Sequence, residues 1–99
     1  MAEPYLSVVA ELTAKPGHED ELRSLLLSVI PTVREEEGCI QYDLHVSTAD
    51  PASFVFYENW KDADALKSHG RSAHMRAFGA KAAALLSGPA RILTYTRIG

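Results

Sequence analysis

The chain has 99 residues, room for one small domain; with 46% hydrophobic and 23% charged residues it has the balance of a globular protein and not of a disordered one. Ten basic against thirteen acidic residues give a net charge of −3 with no basic stripe, which argues against nucleic acid as a partner. The lone Cys39 excludes an internal disulfide framework and a multi-cysteine zinc centre; with no leader pattern and no apolar run near the ~18–20 residues of a membrane span, a reduced, soluble, cytoplasmic protein with no membrane partner is expected.

Residues 5–13 predict a strand, with Leu6, Val8, Ala10 and Leu12 on one face by period two. Lys15-Pro16-Gly17 is a turn. A helix over residues 18–36 follows, with Glu19, Asp20 and Glu21 at its positive end. Leu22, Leu25, Leu26, Val29, Ile30 and Val33 form its apolar stripe. Pro31 costs ~3 kcal/mol inside a helix, but the apolar phase continues past it, so a kink is expected there and a stop at Gly38.

Residues 40–46 alternate as a strand, Ile40, Tyr42, Leu44 and Val46 against Gln41, Asp43 and His45. After a loop at Asp50-Pro51, residues 53–60 complete a hairpin. Asp62 is a plausible cap for a short helix to His69, with Gly70 as its stop. Ser72 caps a further helix to about Leu86, Gly88-Pro89 ends it, and residues 91–98 form the last strand. The order predicts a ferredoxin-like α+β fold: βαββαβ, a four-stranded antiparallel sheet with its helices on one face.

In the third strand Phe54, Phe56, Glu58 and Trp60 share one face; Val55, Tyr57 and Asn59 share the other. Helices can cover only one side, which leaves Val9, Val55 and Tyr57 to a second copy, so a homodimer packed sheet to sheet is expected. Glu58, set in an aromatic row, must be paired or carry a raised pKa. His69 projects from the apolar side of its short helix toward the Trp60 end of the strand, so Trp60 and His69 are expected to line one cleft, where an imidazole is the natural proton acceptor near neutral pH. His74 is a weaker candidate. His69 and His74 are five apart, not at helical metal-pair spacing, and no acidic cluster adjoins them, so no metal site is predicted. Tyr57 and Asn59 point away from Trp60 on a regular strand, and either hydrogen-bond across the dimer or reach the pocket through a bulge. No glycine-rich phosphate loop is present, so no nucleotide cofactor is expected.

Lys15-Pro16-Gly17 before an acidic helix start, Glu35 through Gly38-Cys39 to Tyr42, Tyr57-Glu58-Asn59-Trp60, and Ala65-Leu66 with His69 and Ser72-Ala73-His74 together resemble the antibiotic biosynthesis monooxygenase family of dimeric α+β barrels. The resemblance implies a homodimer that oxidises a quinol or polyphenolic aromatic with O₂ and no cofactor. It implies a pocket between sheet and helices with Glu58, Trp60 and His69 around it, His69 and Glu58 as the catalytic pair, Glu58 orienting the imidazole or stabilising its cation, and Trp60, Phe56 and Phe78 stacked on the substrate ring; Asn59, Tyr57 and His74 stand beside these as further substrate-binding candidates. An isomerase, an autoinducer-degrading enzyme and a non-catalytic aromatic-binding module are alternatives on the same scaffold. Haem-degrading relatives look for an Asn on the first strand, which this chain lacks.

Overall fold

A computed structural model describes residues 5–99, which run β1 (Leu6–Thr13), α1 (Glu19–Arg34), β2 (Cys39–Val46), β3 (Ser53–Trp60), α2 (Ala63–Arg71), α3 (Ala73–Ala83) and β4 (Arg91–Thr96). The strands form one antiparallel sheet in the order β2-β3-β1-β4, the ferredoxin-like arrangement expected. Register places the core. Leu12 lies opposite Phe54, Ala10 opposite Phe56, Val8 opposite Glu58 and Leu6 opposite Trp60. These side chains share one face, against which α1 buries Leu22, Leu26, Val29, Ile30 and Val33. The helix runs through Pro31; the carbonyl that loses its donor belongs to Leu27, which lies on the solvent side, where water can replace the bond.

Gly38 adopts a φ of +85°, and a Cβ placed there would lie 2.6 Å from the Cβ of Ala65. Its carbonyl also accepts the amide of Lys61 at 2.8 Å, so the chain leaving α1 is tied to the start of α2. Gly38→Ala combines a left-handed backbone with a clash, and a loss of about 2–4 kcal/mol is expected by urea denaturation.

Several boundaries differ from the sequence reading. Cys39 pairs with Trp60 and Gln41 with Asn59, so Ile40 is an extra residue at a bulge and stands 57% exposed instead of facing the core with Tyr42. Gly70 does not end α2. The helix continues to Arg71, and Ser72 ends it with extended backbone, its Oγ donating to the His69 carbonyl at 2.7 Å and accepting from the Met75 amide at 3.3 Å. The same hydroxyl therefore closes α2 and opens α3. α3 stops at Ala83 and β4 at Thr96, both short of their expected ends.

The helices pack over β2 and β3. Ile92 and Thr94 sit beside Ala10 and Val8 on the same side, yet both are exposed, so the helix side of β4 is open. The opposite sheet face is built in rows, Asp43–Tyr57–Val9–Leu93 at its centre and Gln41–Asn59–Ser7–Tyr95 beside it. Along the second row Ser7 Oγ donates to Asn59 Oδ1 at 2.8 Å and Asn59 Nδ2 to Gln41 Oε1 at 2.8 Å. Val9, Val55, Tyr57 and Leu93 are only half-buried there. Among the described residues no helix is long and apolar enough to cross a membrane.

Candidate functional site

Three elements converge where α1 ends. Glu36 follows α1, His69 lies in the last turn of α2 and His74 in the first turn of α3. Glu36 Oε2 lies 2.8 Å from His69 Nδ1 and 2.8 Å from His74 Nε2. An ionised carboxylate only accepts, so each facing nitrogen donates. A neutral His69 therefore carries its proton on Nδ1 and presents Nε2 as a lone pair. That Nε2 makes no hydrogen bond among the described residues. No buried side-chain polar atom among them lacks a partner, so Nε2 keeps some accessible surface although His69 as a residue is buried.

The imidazole is held by aromatic rings. Trp60 lies against it with centroids 4.6 Å apart, and Tyr42 meets it edge-on at 5.8 Å. Tyr42 in turn stacks on Phe56 at 4.6 Å. Trp60 Nε1 donates to Glu58 Oε1 at 2.8 Å. Burial pushes the Glu58 carboxyl up to about 7; the indole N–H opposes this, and the charge of Glu36 adds to it. Burial, with the negative charges of Glu58 and Glu36, likewise raises the Tyr42 phenol, which stays a neutral O–H. The Cys39 thiol is raised by burial and then by Glu36 and Glu58, the opposite of what a thiolate nucleophile needs.

The structure brings Glu58, Trp60, Phe56 and His69 to one side of the sheet, as expected, but changes their pairing. The indole comes between Glu58 and His69, and Glu36 is the carboxylate that holds the imidazole. The expected cleft between them is occupied by their own rings, with Glu58, Trp60 and His69 each less than a tenth exposed. Tyr57 and Asn59 lie on the opposite face, because β3 is regular and the bulge falls in β2. Phe78 is also apart from Trp60. It lines an apolar cavity of about 390 Å³ with Leu12, Ala82, Leu86 and Pro89. Leu12 is six residues along β1 from Leu6, the partner of Trp60, roughly 20 Å at strand spacing. Phe78 and His74 do share a smaller hollow of about 190 Å³ between α1 and α3. Arg71 and Arg76 are exposed.

Glu36 and Tyr42 were missed as site residues. Glu36 is one of three consecutive glutamates at a helix end, which reads as a solvated charge run. Tyr42 carried a signal, since period two sets it on the core face of β2.

Fold and site together define a small α+β domain that shelters an acid–base cluster between its sheet and its helices. The chain matches the family model described as "Antibiotic biosynthesis monooxygenase" over residues 5–81, and it belongs to that family. It is similar to "Putative monooxygenase YcnE" of Bacillus subtilis, 40% identical over 80 residues that cover 81% of this chain and 84% of that protein. It is also similar to "Probable quinol monooxygenase YgiN" of Escherichia coli, 32% identical over 83 residues, covering 74% and 80%. The crystal structure of PA3566 from Pseudomonas aeruginosa superposes with a TM-score of 0.92 at 33% identity, covering 100% of this chain and 99% of that one. The family expected from the sequence is thereby established, and with it the coarse reading of a monooxygenase-type protein.

Proposed function

We propose that the protein is a cofactor-independent monooxygenase that oxidises a quinol or polyphenolic aromatic molecule with O₂. The observation that carries this reading is the orientation of His69: Glu36 holds Nδ1 at 2.8 Å and leaves Nε2 as an unbonded base beside Trp60. Family membership and the likeness to YgiN supply the reaction class.

The substrate ring enters over the open helix side of β4, where Ile92 and Thr94 are exposed beside Ala10 and Val8. Nε2 of His69 removes a phenolic proton, and Glu36 offsets the imidazolium charge. The electron-rich phenolate passes one electron to O₂; the two radicals combine to form a carbon–oxygen bond. The hydroperoxide then loses water and leaves a quinone, so one oxygen atom enters the product and the other leaves as water. The surrounding rings fix the imidazole and exclude solvent from its buried side. Glu58, its carboxyl pushed up to about 7 by burial, accepts the indole N–H and so fixes the Trp60 ring against His69.

An oxygen electrode with a panel of quinols and dihydroxynaphthalenes tests this. Uptake of O₂ with one ¹⁸O atom per quinone is expected from ¹⁸O₂. Saturable quenching of Trp60 without O₂ uptake would instead identify a binding module. The half-buried Val9, Val55, Tyr57 and Leu93 support a homodimer packed on that face. Val55→Asp is expected to halve the mass measured by light scattering, and an unchanged mass would rule that packing out.

A further inference from the structure

We infer that Glu36, His69 and His74 form a binding site for a divalent transition-metal ion of the zinc class, and that the bound ion withdraws His69 from acid–base chemistry. The first half stands on the donor set alone; the second rests on the reading of His69 as the base.

One carboxylate oxygen and two imidazole nitrogens lie within 4.8 Å of one another, each offered by a different element of the fold. Zinc–ligand bonds of ~2.0–2.1 Å set tetrahedral ligand atoms about 3.3 Å apart. The two 2.8 Å contacts to Glu36 Oε2 therefore open slightly, and the imidazole nitrogens close by no more than about 1.5 Å. Most of the desolvation is already done: the side chains of His69 and Glu36 are 8% and 14% exposed, while that of His74, at 31%, leaves a way in and an open coordination position. Two nitrogens and one oxygen select zinc-class ions over magnesium or calcium, which prefer oxygen alone.

The break at Ser72 makes the site. On one continuous helix residues five apart would diverge. Extended backbone at Ser72 instead turns α3 so that His74 faces His69 across Glu36. Ser72 Oγ holds the His69 carbonyl and lies 3.2 Å from His74 Nε2, so the supporting groups are already in place.

Binding also redistributes protons. Each neutral imidazole gives its inward nitrogen to the ion and moves its proton to the far one, which is Nε2 in His69 and Nδ1 in His74. No proton is lost overall. Nε2 of His69 then carries hydrogen and has no lone pair for a phenol.

The test uses the full chain after dialysis against EDTA. Co²⁺ titration followed by visible absorption, and Zn²⁺ titration by calorimetry, should each saturate at one ion per chain, with no response to Mg²⁺. Glu36→Gln and His74→Ala, checked for folding by circular dichroism, should each weaken binding at least tenfold; His74→Gln serves if the alanine variant is unfolded. Absence of saturable binding, or equal binding by folded variants, would overturn the site. In parallel, one equivalent of Zn²⁺ should suppress quinol-dependent O₂ uptake, with recovery on adding EDTA. Full activity of the zinc-saturated protein would overturn the second half. A metal-free protein that takes up no O₂ with any quinol would count against the oxidation reading, while the cobalt spectrum still decides the site.

Discussion

His69→Asn is expected to lower kcat for a quinol by about 10²–10⁴-fold, the usual contribution of a positioned base. Asparagine is the informative replacement. Its Nδ2 stands where Nδ1 of the imidazole stood, so the bond to Glu36 is kept while the Nε2 base is removed. Alanine would remove both, together with the ring that packs on Trp60. O₂ uptake under saturating quinol measures the effect; rates within threefold of the parent would remove His69 from the mechanism. Glu36→Gln separates charge from geometry, because the amide oxygen still accepts from Nδ1 but no longer offsets the imidazolium. A smaller fall in kcat with little change in KM is expected.

The second large effect is on stability. The Glu58 carboxyl titrates at about 7 in the folded chain, above the ordinary value of 4.5, chiefly because it is buried. Between those two pH values the folded state holds a proton that the unfolded state has released. Stability therefore falls as pH rises through that window and stays lower above it. The contribution is on the order of 3 kcal/mol between pH 4.5 and pH 8. Glu58→Gln keeps an acceptor for the Trp60 N–H and removes the titration. The difference in unfolding free energy between variant and parent, from urea melts at pH 5, 6, 7 and 8, should move in favour of the variant as pH rises. Parallel profiles would show that Glu58 is not held in its protonated form.

The fold was legible in the sequence because its signals are local. Alternation in β1 and β3 and the apolar stripe of α1 each demand burial on one side, and only a sheet with helices on one face satisfies all three. The errors also have local causes. Ile40 continues the alternation of β2, yet the chain emerging from Gly38 meets β3 one residue out of step, and the bulge that corrects this expels Ile40. Gly70 carries the usual signal of a helix stop, yet nothing there requires left-handed backbone, and Ser72 supplies the stop through its side chain.

The site was legible only in part. Trp60 and His69 could be placed on converging faces from periodicity. The carboxylate that holds His69 could not, because Glu36 is 33 positions away and looks like its neighbours Glu35 and Glu37. Glu58 was the only acid in an aromatic row, so it drew the role that the folded chain gives to Glu36.

The chain contains a single tryptophan, and that indole sits with its N–H on Glu58 and its face on His69. The tryptophan emission thus comes from one fluorophore wedged between the Glu58 carboxyl and the His69 ring. Ionisation of Glu58 places a full negative charge at the pyrrole end of the ring, and an ion captured by His69 places positive charge across its face. Each event changes the field on the indole, so the emission should shift with either one and the protein carries its own optical gauge of both.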